Sequence, residues 1–358
     1  MTYPEARPDP GAGTARIRMR GPADLIEAVP YLMGFHPEES LVVLGFRGRR
    51  PAEQPAQVAF TARIDLDLAE PSGLDPVAAG QLLSMLADSG CAAVVAVVFT
   101  ESGGHAPAQN PRLRPVWAGM SAELVELGIE LLDFLLVGGE RVYSVACSDR
   151  RCCPAEGRPR SRDSTVAAEL TYAGLVAAPD RASLMASLEG ESTTARSARR
   201  PLLVRAEERL DRLQSERGAE ALRRSEISAL LQAGYDCEHG ARLSSRRLAR
   251  LGAALRRIDV RDAIWISLDQ REITASQLLR QLAAGLPAPY DAAPMFLAGW
   301  TYWRQGQGTL AAAAVTKVLE SDPDYSAAAL LADAIRLALD PHTTPGLDGP
   351  WNSHRSGG

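Results

Sequence analysis

Lysine is the residue this sequence does almost entirely without: of 39 Lys and Arg residues, only Lys317 is a lysine. A phosphate-binding loop of the G-x-x-x-x-G-K-[ST] type is therefore excluded, because its lysine must reach the phosphates. A Schiff-base enzyme would have no nucleophile but Lys317, which lies in a helical pattern. No stretch approaches the about 18 apolar residues that a membrane helix needs, and Met1 to Gly13 is Pro-rich without the apolar run of a signal peptide. The expectation is a cytoplasmic protein with no membrane insertion. Five cysteines, an odd number, argue against a disulfide framework and leave thiol, metal or structural roles. There is no G-x-S-x-G elbow and no H-E-x-x-H. Gly306 to Ala311 fits G-x-G-x-x-A, but it joins two helices instead of following a strand, so a dinucleotide site fails its own context. His342 and His354 lie near the end of the chain, which leaves His36, His105 and His239 for chemistry.

What is present describes a globular chain in two parts. With 358 residues, 46% hydrophobic and 23% charged, the chain exceeds the about 250 to 300 residues at which single cores stop growing. Pro22 to about Tyr31 is a short helix, ended at Gly34-Phe35-His36-Pro37. Leu41 to Phe46 is an apolar run and so a buried strand. Val58 to Leu68 alternates, with Phe60, Ala62 and Ile64 on one face and Thr61, Arg63, Asp65 and Asp67 on a wet or functional one. Asp75 to Ser89 is helical, Ala92 to Phe99 is a Val-rich central strand, and this strand, helix, strand order suggests a parallel crossover. A second helix over Pro115 to Leu127 and strands over Leu131 to Val137 and Arg141 to Cys147, meeting at Gly138-Gly139, complete an α/β domain with a mixed sheet and flanking helices. That domain is expected over residues 14–160, after a disordered segment 1–13.

From Ser164 onward every pattern is helical or turn-like. An all-α helical domain is expected over 161–340, with a TPR-like unit of two helices near 292–325 in which Gly299, Tyr302, Gly306 and Ala311 occupy the small or aromatic positions. The segment 341–358 has the Pro, Gly, Thr and Ser content of a disordered tail.

The run Tyr31 to Gly45 (YLMGFHPEESLVVLG), together with Phe60 to Asp65, Cys152-Cys153-Pro154 and Pro289 to Tyr325, resembles the bacterial family catalogued as domain of unknown function 4192, over nearly the whole chain. The resemblance implies the fold outline and assigns no catalytic residue, cofactor or partner.

The densest chemistry is the turn from Cys147 to Pro154, which sets Cys147, Cys152 and Cys153 beside Asp149, Arg150 and Arg151 after a strand end. Either arginine would favour a neighbouring thiolate. The C-x4-C-C spacing is not the paired C-x-x-C of structural zinc, and further ligands would have to come from Cys237 and His239, far along the chain. The sequence predicts no cofactor, with zinc at these three cysteines as the alternative to a structural turn. A second group, Phe35, His36, Glu38 and Ser40 with Arg63 and Asp65, offers an imidazole beside carboxylates. If the two groups converge, a pocket lined by Phe35, His36, Glu38, Ser40, Arg63, Asp65, Asp149, Arg150, Cys152 and Cys153 would suit an enzyme or a small-ligand binder. The loop Thr100 to His105 follows the central strand and is a further place for an anion.

Between residues 195 and 260 there are 15 Arg against 9 Asp and Glu, with Arg246, Arg247, Arg250 and Arg257 as a basic stripe. No recognition-helix module accompanies it, so nucleic acid is not the expected partner. The first expectation is a non-enzymatic interaction or regulatory protein whose helical half binds a protein partner. The alternative is an enzyme or a small-ligand or metal-binding protein with its pocket near Cys147 to Pro154.

Overall fold

A computed structural model describes residues 19, 21–47, 57–67, 73–100, 113–145, 147, 149–160, 165–172, 175–270, 274–337, 339, 341, 344, 346 and 347. The segment 1–13 and the loop after Thr100 lie outside the described residues. The chain forms two compact units, Met1–Arg181 and Ala182–Gly358. Among the described residues no helix is long and apolar enough to cross a membrane.

The first unit runs α1 (Pro22–Met33), β1 (Ser40–Arg47), β2 (Gln57–Asp65), α2 (Pro76–Asp88), β3 (Ala93–Phe99), α3 (Arg114–Glu126), β4 (Glu130–Gly138), β5 (Arg141–Ser144), β6 (Arg158–Pro159) and α4 (Thr165–Tyr172). The strands form one mixed sheet in the order β2-β1-β3-β4-β5-β6. β1 pairs antiparallel with both β2 and β3, so the crossover through α2 returns to a strand that is not its neighbour. The adjacent parallel pair is β3 and β4, connected through α3. β3 is buried along its whole length, as its unbroken apolar run requires. Period-two alternation sends Leu41, Val43, Ile64, Val94, Ala96, Val98, Phe134 and Leu136 to one face, where Leu82 and Leu86 of α2 and Val116, Met120 and Leu124 of α3 cover them.

The opposite face carries Ser40, Val42, Arg63, Asp65, Val97, Phe99, Leu135 and Ser144, by the same register. The Arg63 side chain is only 13% exposed, because Phe35 folds over it with its ring centre 5.5 Å from the guanidinium carbon. Strand β5 ends at Ser144, not at Cys147, and the chain leaves the ladder there. Helix α4 begins beyond residue 160, where the helical domain was expected to start, yet it packs on α1 through Val166 and Leu170 against Ala28. The division into two compact units falls after Arg181.

Beyond α5 (Arg181–Ala186), the second unit contains α6 (Thr193–Ser197), α7 (Arg200–Arg217), α8 (Ala219–Glu238), α9 (Ser245–Leu255), α10 (Ile258–Asp269), α11 (Ser276–Gly285), α12 (Ala292–Arg304), α13 (Gly308–Ser321) and α14 (Ser326–Arg336). Much of the chain's small aromatic complement gathers in its core. Trp265 meets Phe296 and Trp300 edge-on at 4.8 and 5.1 Å, and Trp300 lies 5.1 Å from Trp303. Helices α12 and α13 pack closely because Gly299 has no side chain: a Cβ there would stand 3.2 Å from that of Ala314.

Within the segment expected as a tail, the described residues Pro341, Thr344 and Leu347 take part in hydrogen bonds. Asp269, buried at the end of α10, accepts the Leu347 N–H at 2.6 Å and the Trp300 indole N–H at 3.1 Å, and pairs with Arg304 at 2.8 Å. Arg304 also donates to the carbonyls of Pro341 and Thr344.

Candidate thiol site

The turn that carries Cys147, Cys152 and Cys153 hangs between β5 and β6. Its first anchor is Ser144, whose oxygen accepts the Cys147 N–H at 3.1 Å while its hydroxyl donates to Asp133 Oδ1 at 2.6 Å. Asp133 is itself fixed by the Phe134 N–H at 2.8 Å. The second anchor is Asp149. Its carbonyl accepts the N–H groups of Cys152 at 3.0 Å and Cys153 at 2.7 Å, and its carboxylate accepts the Arg151 N–H at 2.9 Å. These bonds curl the chain back on Cys147, and the three sulfurs lie within 4.8 Å of one another.

The return to β6 passes through Gly157, whose φ of +75° is the left-handed region that a side chain disfavours. A Cβ at that position would stand 2.5 Å from the buried Tyr143 ring. Arg141 donates to the Gly157 carbonyl at 3.0 Å. The turn thereby delivers Arg158, whose guanidinium lies 3.6 Å from the Cys152 sulfur. The sequence had pointed to Arg150 and Arg151 for that role. Instead Arg150 is exposed and Arg151 lies 3.7 Å from Asp149. Arg158, Ser144 and Asp133 escaped sequence reasoning. The one available signal was the glycine before Arg158, which marks a chain reversal.

Cys152 is the exposed thiol of the three, while Cys147 and Cys153 are half-buried. Desolvation, followed by hydrogen bonds that the Cys153 S–H donates to the sulfurs of Cys147 and Cys152, pushes its thiol up to about 12.

The second group assembles at one end of the sheet. Arg63 pairs with Asp65 at 2.5 Å and donates to the Glu38 carbonyl at 3.4 Å, and Arg181 lies 3.9 Å from the same aspartate. Thr100 donates to the Glu39 carboxylate at 2.9 Å. The His36 backbone is fastened to the Ala178 carbonyl at 3.0 Å. Burial and then the Arg160 charge hold its imidazole below the usual value, against an opposing pull from Glu27 and Glu38. Ser40 Oγ and Arg63 Nε are buried without a hydrogen-bond partner.

Of the ten residues read from the sequence as one pocket, contacts tie Arg63 to Phe35, Glu38 and Asp65, the thiol turn holds Asp149, Cys152 and Cys153, and His36 feels the charge of Arg160, just past β6. Three strand steps, about 14 Å, separate β1 from β5, and the thiol turn lies beyond β5.

Other residues singled out by type are occupied in the second unit. Cys237 is buried in its core, and burial pushes its thiol up. His239 stacks on Tyr235 at 4.2 Å and holds its carbonyl through Nδ1 at 2.8 Å. Lys317 donates to the Leu188 carbonyl at 3.1 Å. Of the basic stripe, Arg247 pairs with Asp236, Arg250 with Glu226 and Arg257 with Asp211.

Among known proteins, the family model described as "Domain of unknown function (DUF4192)" matches residues 22–342. No curated protein matches the chain, and no solved structure does.

Proposed function

The chain belongs to the DUF4192 family, and we propose that it binds a soft divalent cation, zinc, through the thiolates of Cys147, Cys152 and Cys153. One observation carries this reading: the three sulfurs lie within 4.8 Å of one another. Tetrahedral zinc with bonds of about 2.3 Å spaces its sulfurs about 3.8 Å apart, so side-chain rotation closes the set. The chemistry agrees with the geometry. A divalent cation takes thiolates as ligands, so binding releases protons from the cluster. Ser144 and Asp133 supply the surrounding hydrogen bonds that fix a ligand's position. With three protein ligands, the fourth position goes to water or an exchangeable ligand.

The test is titration of the reduced, metal-free full chain with cobalt(II), whose tetrahedral thiolate complexes have intense charge-transfer and ligand-field bands, followed by zinc displacement and elemental analysis. One ion per chain is expected, lost in the Cys152→Ser/Cys153→Ser double variant. Absence of the bands, or their persistence in that variant, overturns the reading.

A second reading, a protein partner for the helical unit, rests on α14. Leu330 and Leu337 are 69% and 37% exposed two turns apart, beside a helix pair whose sequence resembles a TPR unit. A photo-crosslinker at position 330 would capture a discrete partner in cells, whereas one at the exposed position 224 would not. Equal capture at both positions, or none, removes this reading.

A further inference from the structure

We infer that Cys152 and Cys147 form a peroxide-sensitive dithiol whose oxidation to a disulfide dismantles the metal site. The release of metal rests on the zinc-binding reading above; the dithiol itself stands on the geometry of the turn.

The roles of the three thiols follow from where each sits. Cys152 is exposed, whereas Cys147 and Cys153 are half-buried, so an oxidant in solution meets Cys152 first. The Arg158 guanidinium, 3.6 Å from that sulfur, places positive charge beside the atom that must shed its proton before it attacks. The partner is chosen by backbone geometry. Cys152 and Cys153 are consecutive, and a trans peptide fixes their Cα atoms about 3.8 Å apart, short of the usual disulfide range. Cys147, five positions earlier and within 4.8 Å at the sulfur, carries no such restriction. Cys153, half-buried and tied to Cys152 by the peptide bond, is left as the bystander.

The reaction balances with a hydroperoxide as oxidant. The Cys152 thiolate attacks the terminal oxygen, the O–O bond breaks, and Cys152 becomes a sulfenic acid while the leaving alkoxide or hydroxide takes up a proton. The Cys147 sulfur, giving up its proton, then attacks the Cys152 sulfur. The S–O bond breaks, hydroxide leaves and is protonated to water, and the S–S bond forms. In total two thiols lose two electrons and two protons, and the hydroperoxide is reduced to an alcohol, or to water, plus water. A disulfide sulfur is no longer an anionic ligand, so two of the three metal contacts vanish together.

The experiment treats the reduced, metal-free full chain with one equivalent of hydrogen peroxide. The expected result is loss of the mass of two hydrogens, two fewer alkylatable thiols, and one cross-linked peptide joining Cys147 to Cys152. Cys91 and Cys237, both buried, should stay reduced. Cys153→Ser should keep the cross-link. Cys147→Ser should stop at a sulfenic acid on Cys152 that dimedone captures, and Arg158→Leu should slow the first step about three-fold. All five thiols remaining alkylatable, or a cross-link that includes Cys153, overturns the inference. A parallel arm starts from zinc-loaded protein and follows released zinc with a chromogenic chelator. If the reduced protein takes up no zinc yet the cross-link forms, the metal reading fails and the dithiol stands. If zinc binds and peroxide yields no cross-link, the dithiol fails and the metal reading stands.

Discussion

Ser144 donates its hydroxyl to Asp133 Oδ1 at 2.6 Å and at the same time accepts the Cys147 N–H at 3.1 Å, so one side chain ties the first thiol of the turn to the β4–β5 ladder. Ser144→Ala cuts both connections and leaves the sulfur chemistry untouched. The expected outcome is zinc affinity reduced about ten-fold with a stability cost of about 1 kcal/mol. Competition against a fluorescent zinc chelator, run beside urea unfolding of the metal-free protein, separates the two. Unchanged affinity would show that Ser144 does not position the turn.

The parts of the fold legible in the sequence are those where burial dictates pattern over several residues. β1 and β3 announce themselves as unbroken apolar runs, and Asp75 marks the start of α2 by accepting the Ala78 N–H at 2.8 Å. β6 is invisible for the converse reason, since two residues at a sheet edge carry no periodicity. Arg63 was expected on a wet or functional face, because alternation gives its direction but cannot foresee Phe35 folding over it. Asp269 has the same lesson: a carboxylate ending an apolar helix gives no sign that Arg304, Trp300 and the Leu347 N–H will converge on it. The thiols were found by counting cysteines, whereas Arg158 was missed because its proximity to Cys152 depends on a left-handed turn at Gly157.

Gly157→Ala tests that turn directly. The substitution places a methyl group in a left-handed backbone position and 2.5 Å from a ring atom of Tyr143, which is only 6% exposed and has little room to retreat. Conformational strain and overpacking together predict a loss of about 2–4 kcal/mol. The urea midpoint should fall, and the reaction of Cys152 with peroxide should slow as Arg158 is displaced. A stability within about 0.5 kcal/mol of the parent, the scale of an ordinary surface change, would contradict the close approach.

Alkaline pH should destabilise the metal-free protein through Cys153. Its thiol has an ordinary value of 9.0 and is pushed up to about 12 in the fold, first by desolvation and then by Cys147 and Cys152. Below about pH 9 both folded and unfolded chains hold the proton, so the contribution is fully present. Above it the unfolded chain loses a proton that the folded one keeps, and stability falls until the folded thiol also ionises. Urea midpoints between pH 8 and 11 should drop more steeply for the parent than for Cys153→Ser; parallel slopes would assign the loss to other groups. Zinc reverses the sign, because it holds the thiolates, and its stabilisation should grow as pH rises.

In the helical unit the pair between α8 and α9 predicts an asymmetry. Arg250 holds Glu226 with Nε at 3.1 Å and Nη2 at 2.8 Å, a two-pronged contact that fits a carboxylate. The partners differ in surroundings: Glu226 is 1% exposed, whereas the Arg250 side chain is 43% exposed. Removing the arginine strands a buried carboxylate, so Arg250→Ala should cost about 3 kcal/mol. Removing the carboxylate instead releases a guanidinium that water can reach, and Glu226→Leu also fills the space with apolar volume, so its cost should stay near 1 kcal/mol. The double variant should then be closer to Glu226→Leu than to Arg250→Ala, because the penalty of the first change is the charge that the second removes. Urea unfolding of the three variants checks the order. If Glu226→Leu proves the more damaging single change, the contact acts through the packing of α8 on α9 and not through compensation of the buried charge.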